Sequence, residues 1–280
     1  MIREAIQHLL TPANKEIKAL GYLRETIAIG ARYKRCRAAW AGHLEKCHHH
    51  ILEAATELKE DATIMIIGSG ALHDVPIDKL EQRGHKILLV DIVHPAKMRR
   101  KYKRNDQIIF FEHDVTGLIK PIFDRREFSA SRDVARDIAR GVERGVERDI
   151  KSLPSSDLII SLNILSQLPI NLMKYAAWKK LPLPPNFENT LMRDHLALLQ
   201  GHAPRQLIIS DVERQYWDNG TIIDTEPALP KEIRQNLKSP LDIWDWHIAP
   251  KGELGKHISL LHKVACYQIK TVSDITASES

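Results

Sequence analysis

The sequence predicts an α/β protein in which a helical N-terminal cap precedes a mostly parallel, seven-stranded sheet that ends in an antiparallel hairpin. From residue 62 onward, short apolar runs alternate with helix-length segments, which is typical of parallel strands joined by right-handed crossovers. The last two strand-like runs, residues 241–248 and 257–269, are joined by too few residues for a helix, so we expect them to pair antiparallel.

The composition is that of an ordinary folded chain. Its 280 residues are 43% hydrophobic and 28% charged. The 41 basic and 36 acidic residues leave a net charge of +5, which is weak support for a nucleic-acid partner. No secretory signal, no long apolar run and no disulfide framework are evident. We therefore expect a cytoplasmic protein without a membrane partner.

Residues 1–60 are expected to form the helical cap, because their apolar residues recur at three- and four-residue spacing. A long helix is predicted over about residues 31–59. The domain that contains the sheet then spans residues 61–280. Its first five strands are predicted over residues 63–67, 86–90, 107–111, 157–162 and 206–210.

Two connections in this domain look like insertions. Residues 125–151 are highly charged and predict a helix. Residues 169–190 are rich in proline and aromatic residues and follow a strand, so they are a candidate substrate lid. A static loop is the alternative interpretation.

A glycine pair follows the first strand as Gly68-Ser69-Gly70, and the second strand ends at Asp91. Glycines at this place let the backbone approach a ligand, and the acid can accept hydrogen bonds from ribose hydroxyls, so the pair indicates an adenosine site. A dinucleotide loop needs a third glycine where this chain has His73, which argues against a nicotinamide cofactor. A purely structural turn is the alternative.

The next two strands also end in polar residues. Asp114 follows the third strand and has two interpretations of equal weight: it accepts from an adenine amino group while Val115 flanks the ring, or it caps the following helix. Ser161, Asn163 and Gln167 lie where the fourth strand leaves the sheet, which is where a ligand binds in such folds.

Over about residues 60–270 the chain resembles the class I S-adenosylmethionine-dependent methyltransferases. The resemblance rests on the glycine pair, Asp91, the triplet 113–115, the exit at 161–163, the strand 207–211 and the closing hairpin. It implies a Rossmann-like fold, S-adenosyl-L-methionine as cofactor, and methyl transfer to an oxygen or nitrogen atom of a small polar molecule.

The resemblance also implies cofactor-binding positions. The glycine loop would lie against the methionine and ribose, Asp91 with Ile92 at the ribose, and Asp114 with Val115 at the adenine, while Ser161 or Asn163 would hold the methionyl side. The predicted set is Gly68, Ser69, Gly70, Asp91, Ile92, Asp114, Val115, Ser161 and Asn163.

Two positions depart from the family pattern. Ile66 stands where the family often has an acid, and Leu72 where it has a small residue. Another group must therefore hold the methionine amino group, such as backbone carbonyls or Asn163.

Catalysis and substrate binding have only weak candidates. Histidines and an acid at strand ends or loops could act as a general base, although a structural histidine or a cap is the ordinary alternative for each; they are His73, His94, His113 and Asp211. The substrate candidates are Gln167, Tyr33, Arg37, His43 and Trp178.

Cysteine and histidine alternate along one face of the N-terminal helix, at Cys36, His43, Cys47 and His50. Positions 36 and 50 are about 21 Å apart on a straight helix, so the four cannot surround one zinc ion, and no metal site is expected. A packed face is the first alternative. A histidine-rich face over the substrate pocket is the functional one, supported by the nearby Tyr33, Arg35 and Arg37.

Three other functions stay open at this point. The basic stretch 97–104 supports an RNA methyltransferase, although a solvated helix face is the favoured interpretation of that stretch. A protein that binds an adenosine ligand without turnover fits the missing acid at Ile66. An NAD(P)-dependent oxidoreductase is disfavoured by His73 and by the closing hairpin.

Overall fold

A computed structural model describes residues 11–124 and 153–270. The charged helix predicted over 125–151 lies outside these residues. Within them, a short helix α1 (Lys15–Ala19) is followed by the long helix α2 (Tyr22–Ala54). The predicted long helix therefore begins about nine residues earlier than expected, and its dihedral angles leave the helical range at Cys36 (φ −103°, ψ 16°).

The parallel part of the sheet has five strands, which agree with the five predicted apolar runs. They are β1 (Thr63–Ile67), β2 (Lys86–Asp91), β3 (Ile108–Glu112), β4 (Leu158–Leu162) and β5 (Arg205–Asp218). β1 lies between β2 and β4, and all four neighbouring pairs are parallel. β1 and β4 are almost wholly buried because helices cover both faces, which explains their continuous apolar sequence.

Helices connect these strands. They are α3 (Ile77–Gln82), α4 (Ala96–Lys101), α5 (Ile119–Asp124), a 3₁₀ turn (Leu165–Gln167), α6 (Leu168–Lys179), α7 (Phe187–His202) and α8 (Lys231–Asn236). The candidate lid 169–190 consists of most of α6, a connection and the start of α7; its closure over a substrate stays a prediction. No helix in the described residues is long and apolar enough to cross a membrane.

The closing hairpin is confirmed. β7 (Asp242–Ala249) and β8 (Ile258–Lys270) pair antiparallel, and β8 inserts between β5 and β7, so the sheet order is β3-β2-β1-β4-β5-β8-β7. Residues 211–218 of β5 continue beyond the parallel strands and remain paired with β8. We call this antiparallel extension, formed by 211–218 with β7 and β8, the arm.

The prediction of seven strands was wrong by one. An eighth strand, β6 (Thr221–Pro227), pairs antiparallel with the extended part of β5. The connecting Asn219 and Gly220 both have positive φ (48° and 86°), as a two-residue hairpin turn requires. β6 is exposed along its whole length and therefore has no apolar run, but the Asn-Gly pair was a usable signal.

Helix α2 packs on the arm and shares a core with the sheet. Trp40 and Ile51 of α2 belong to the same buried cluster as Ile64 of β1 and Trp244 of β7. The indole N–H of Trp40 donates to the Ile248 carbonyl at 3.1 Å. The N-terminal segment is therefore a wall of the molecule that faces the carboxyl ends of the parallel strands.

Candidate active site

A cavity of about 480 Å³ lies between α2, the arm and the carboxyl ends of the parallel strands. Its lining divides into two parts. The strand-end half is formed by residues that directly follow strands, namely Gly68, Gly70, Asp74, Asp91, Ile92, Val115, Thr116 and Asn163. The arm half is formed by side chains of α2 and the arm, including Arg32, Trp40, His43, Asp211, Arg214, Tyr216, Trp246 and His262.

The glycine loop brings two strand ends into close contact. Gly68 has φ 82°, and a Cβ atom on it would lie 2.5 Å from the carbonyl oxygen of Leu162 at the end of β4. Gly70 has φ 48°, and a Cβ atom there would meet nothing closer than 3.9 Å. The loop therefore packs closely against the sheet at Gly68 and leaves open space at Gly70. Such space lets a ligand approach the backbone of the loop closely.

Asp91 ties the second strand to this loop. One carboxylate oxygen accepts from the Gly70 N–H at 2.7 Å, and the other accepts from Ile92 at 2.7 Å and Val93 at 3.4 Å. Burial raises the pKa of Asp91, and these backbone donors partly offset the rise. A carboxylate has about four acceptor positions, so one remains for a ligand hydroxyl at the cavity surface.

Asp74 is a second acid in the strand-end half and was not among the predicted site residues. Its carboxylate accepts from the side-chain amide of Asn163 at 2.8 Å. Burial raises the pKa of Asp74 to about 6, and the bond from Asn163 opposes that rise. Ile66 of β1 is apolar and fully buried, so β1 supplies no acid to the strand-end half. Asp74 comes instead from the loop after Gly70.

Two predicted cofactor residues turn their side chains away from the cavity. The Ser69 hydroxyl lies 3.0 Å from Nε2 of His94, and the Ser161 hydroxyl lies 2.9 Å from Nε2 of His195. All four side chains are buried. Side chains alternate along a strand, so Ser161 faces α7 whereas Leu162 faces the α2 side. The prediction that the side chains of Ser69 and Ser161 contact the cofactor is therefore corrected, because both hydroxyls contact buried histidines instead.

Asp114 caps helix α5 in this structure. One oxygen accepts from the backbone and hydroxyl of Thr116 at 3.0 and 2.6 Å, and the other accepts from the Ile119 N–H at 2.8 Å. Val115 and Thr116 line the cavity, whereas Asp114 and His113 line an adjoining depression. Asp114 therefore caps the helix that follows it, as one of the two interpretations expected. A contact between Asp114 and adenine stays a prediction.

The arm half contains a row of three side chains on adjacent strands. Arg214 of β5 is opposite His262 of β8, which is opposite Trp246 of β7. Asp211 accepts from the Ser166 hydroxyl and, at 3.0 Å, from Nε of Arg214. Nδ1 of His262 lies 3.4 Å from the same carboxylate, and burial is the main reason that the pKa of His262 is lowered to about 4.

His43 forms the opposite wall of the arm half. Its ring stacks on Trp246 with centroids 3.9 Å apart and an interplanar angle of 5°. The indole N–H of Trp244 donates to Nδ1 at 3.1 Å. An indole nitrogen can only donate, so Nδ1 accepts and the neutral ring carries its proton on Nε2, 3.5 Å from Cys47 Sγ; the Asn163 amide nitrogen, 3.2 Å from Nε2, is not its acceptor. Burial lowers the pKa of His43 to about 3, so the ring is neutral near pH 7.

The remaining catalytic and substrate candidates lie partly inside and partly outside the cavity. Gln167, His73 and Asp211 line the cavity, but His94 and His113 do not. Tyr33 stacks on His73 at 3.6 Å and lines an outer groove together with Arg37.

Trp178 is 67% exposed and does not line the cavity. Lys179 lies over its ring at 3.6 Å. Trp178 is therefore a surface residue of α6, and its predicted substrate contact needs correction.

The cysteine–histidine face of α2 is a packed face. Cys36, His43 and Cys47 are buried, and Nε2 of His50 lies 2.9 Å from the Asp242 carboxylate of β7. Within residues 11–124 and 153–270, no three acidic, histidine or cysteine side chains are grouped so that they could hold a metal ion.

Sequence reasoning missed Arg32, Asp74, Arg214 and His262. Asp74 follows the glycine loop so closely that its position was a usable signal. The other three come together only because α2 packs against the arm, and nothing in their spacing along the chain indicates that contact.

Comparison with known proteins gives likenesses of fold. No family model matches the chain, and no curated protein matches it. Among solved structures, it is similar to the Burkholderia thailandensis 1,6-didemethyltoxoflavin-N1-methyltransferase, crystallised with 1,6-didemethyltoxoflavin and S-adenosylhomocysteine. Identity is 17%, coverage is 91% of this chain and 92% of that chain, and the TM-score is 0.41.

Two further solved structures are similar at 12% identity. The N-methyltransferase NodS from Bradyrhizobium japonicum has a TM-score of 0.40, with 81% of this chain and 96% of that chain covered. TrmK from M. capricolum, in complex with S-adenosylhomocysteine, has a TM-score of 0.31, with 77% and 67% covered.

The strand order and the reversed β8 confirm the predicted Rossmann-like fold, which is that of the class I S-adenosylmethionine-dependent methyltransferases. At these identities and TM-scores the similarity to solved structures concerns the fold. What the chain does must be inferred from its own cavity.

Proposed function

We propose that the chain is an S-adenosylmethionine-dependent methyltransferase that transfers a methyl group to an oxygen or nitrogen atom of a small polar molecule. The observation that carries this proposal is the single cavity of about 480 Å³ that joins the glycine loop and Asp91 to an enclosed compartment under α2. A methyltransferase needs both parts next to each other, since cofactor and acceptor must meet in line.

The strand-end half fits the cofactor. The backbone of Gly68 and Gly70 would lie against the methionine and ribose, and the remaining acceptor position of Asp91 would bind a ribose hydroxyl. Ile92 and Val115 supply apolar contacts for the adenine. Asp74, a buried carboxylate without a cation partner in the described residues, would hold the methionine ammonium group in place of the acid that Ile66 lacks.

The bound cofactor supplies an electrophilic methyl group, and this chain's residues supply alignment and exclusion of water. Trp40 and Trp246 close the arm half against solvent, since each is less than 9% exposed. Asp211 is occupied by Ser166 and Arg214, so it positions Arg214. The neutral imidazoles of His73 and His262 both line the cavity and are free to accept a proton from the acceptor.

Calorimetry with S-adenosylmethionine, S-adenosylhomocysteine and NAD tests the cofactor. We expect both sulfur ligands to bind, and Asp91→Ala to weaken them by about 10- to 100-fold, as loss of a hydrogen bond to a charged group does. Asp224→Ala is the matched control, because that exposed carboxylate on β6 accepts only from its neighbour Thr225. Failure of both sulfur ligands to bind would overturn the proposal, and NAD binding lost in Asp91→Ala would indicate an oxidoreductase.

A labelled-methyl assay on cell extract, divided into RNA and small-molecule fractions, tests the acceptor. We expect label in the small-molecule fraction. In the basic stretch 97–104, two of the six cations are already paired within the chain, Arg99 with Glu112 at 2.8 Å and Lys101 with Asp78 at 3.6 Å, which reduces the charge that the stretch offers to RNA. Label in the RNA fraction would indicate an RNA methyltransferase. Tight cofactor binding without label in any fraction would indicate the non-catalytic alternative.

A further inference from the structure

We propose that the methyl acceptor carries an anionic group, a carboxylate or a phosphate, that binds to Arg32 in the arm half of the cavity, beside His262. The identity of the ligand as a methyl acceptor rests on the proposed function. The anion site itself rests on the contacts of these two side chains.

Arg32 is a cation without a hydrogen-bonded anion among the described residues. It projects from α2 into the cavity, and its Nε atom is buried with no hydrogen-bond partner. The nearest carboxylate, that of Glu253, lies 3.9 Å from Nε. That carboxylate already accepts two hydrogen bonds from Arg35, at 2.7 and 2.8 Å. Buried donors are nearly always paired, so the Nε atom of this side chain, which is 27% exposed overall, lacks a hydrogen-bond acceptor that a ligand can supply.

His262 is a second buried polar group in the arm half, and the Asp211 carboxylate lies 3.4 Å from its Nδ1 atom without a hydrogen bond. It is 7% exposed, lines the cavity, and neither ring nitrogen has a hydrogen bond. After burial, the Asp211 carboxylate raises the pKa of His262, and the positive charges of Arg214 and Arg32 lower it, so both guanidinium groups act on this ring. An anion bound at Arg32 would offset part of that positive charge.

The acids of the cavity do not compensate for Arg32. Asp74 and Asp91 lie in the strand-end half, and Glu25 of α2, which also lines the cavity, forms no ion pair with Arg32. Asp211 is the acid nearest to His262, and its charge is taken by Arg214 at 3.0 Å. An anionic group is thus favoured at Arg32. The planar guanidinium fork matches both carboxylate and phosphate.

The apolar part of the arm half indicates the shape of the ligand. Trp40, Tyr216 and Trp246 line the cavity near this site, and aromatic faces bind flat rings well. Benzoate and phenyl phosphate are therefore suitable probes for the two anions. Benzamide has nearly the same shape as benzoate but carries no charge, so it serves as the neutral reference.

The test measures binding of these probes by ligand-observed NMR to the protein alone and to the protein with excess S-adenosylhomocysteine. We expect at least one anion to bind about 10-fold or more tightly than benzamide, and Arg32→Gln to abolish the difference. Arg32→Lys keeps the charge and should retain part of the preference. Arg37→Gln, on the same helix but outside the cavity, is the matched control and should retain all of it.

Equal binding of the anions and benzamide overturns the proposal, as does an equal loss of preference in Arg32→Gln and Arg37→Gln. The ratio of benzoate to phenyl phosphate identifies the anion, and either preference supports the site. The proposed function is judged separately. If S-adenosylhomocysteine binds and the anions do not discriminate, only the acceptor site is wrong. If the anion preference depends on Arg32 but the sulfur ligands do not bind, only the methyltransferase proposal is wrong.

Discussion

The two halves of the cavity are built in different ways. The strand-end half consists mainly of backbone and of side chains that directly follow β1, β2, β3 and β4, and its geometry is fixed by positive φ angles and by N–H bonds to Asp91. The arm half consists of side chains from α2, β5, β7 and β8, and it is held by ring stacking and side-chain hydrogen bonds such as those of His43.

This difference decides what each half tolerates. A backbone loop with positive φ is sensitive to an added Cβ atom. The arm half depends on its buried imidazoles staying neutral, as do His94 and His195, which contact Ser69 and Ser161. The predictions below test the two sensitivities, beginning with the largest effect.

Acid should destabilise the protein through the arm half. The pKa values of His43 and His262 are lowered from 6.5 to about 3 and about 4, chiefly by burial. Below pH 6.5 the unfolded chain takes up these protons and the folded chain does not, so stability falls as pH falls. The loss for each imidazole approaches about 1.4 kcal/mol per pH unit below pH 6.5, which gives about 3 kcal/mol for both between pH 6.5 and 5.

Urea unfolding at pH 6.5 and 5 measures this loss. His262→Gln should reduce the pH dependence by about half of that amount, since glutamine does not titrate. A variant with the same pH dependence as the parent would contradict the assignment of the acid sensitivity to the arm half.

Gly68→Ala should disrupt the strand-end half of the cavity. The positive φ alone costs about 1–3 kcal/mol, and the new Cβ atom would meet the Leu162 carbonyl at 2.5 Å. We expect a lower free energy of unfolding and loss of S-adenosylhomocysteine binding in calorimetry. Gly30→Ala is the matched control, because its Cβ atom inside α2 meets nothing within 4 Å and should stabilise the helix by about 0.5–1 kcal/mol. Equal effects of the two substitutions would contradict the close approach at Gly68.

Trp244→Phe should weaken the arm half by about 1–2 kcal/mol, because it leaves the buried Nδ1 of His43 without its donor. Trp217→Phe is the matched control, since the Trp217 indole nitrogen is buried without a partner and its loss removes no hydrogen bond. Urea unfolding compares the two variants. ¹⁵N NMR of the parent should show the His43 proton on Nε2, and a proton on Nδ1 would contradict the hydrogen bond from Trp244.

Much of the fold could be read from the sequence because burial imposes patterns on it. The fully buried strands β1 and β4 are continuous apolar runs, and the short connection between β7 and β8 leaves only an antiparallel pairing. β6 was missed because an exposed strand has no apolar pattern. The start of α2 was misplaced because Gly30 lies inside the helix, which begins after Gly21, whose φ is 88°.

The candidate site was predictable to the extent that it is local. Gly68, Gly70, Asp91, Ile92, Val115 and Asn163 all line the cavity. Ser69 and Ser161 were correctly placed along the chain, but the direction of a side chain depends on what packs beside it, and buried histidines bind both. Trp178 was chosen for its aromatic character, yet its place on α6 directs it to solvent.

The sequence by itself determined the parallel sheet, the closing hairpin and the strand-end half of the cavity, because each depends on residues that are near neighbours along the chain. Only the tertiary structure decided the arm half. Arg32 and His262 are separated by most of the chain, and they line the same cavity because α2 packs on the arm through Trp40 and Trp246, whose rings lie 5.0 Å apart. Packing between distant elements leaves no periodic trace in the sequence, and it is this packing that places Arg32 in the same cavity as the strand-end half.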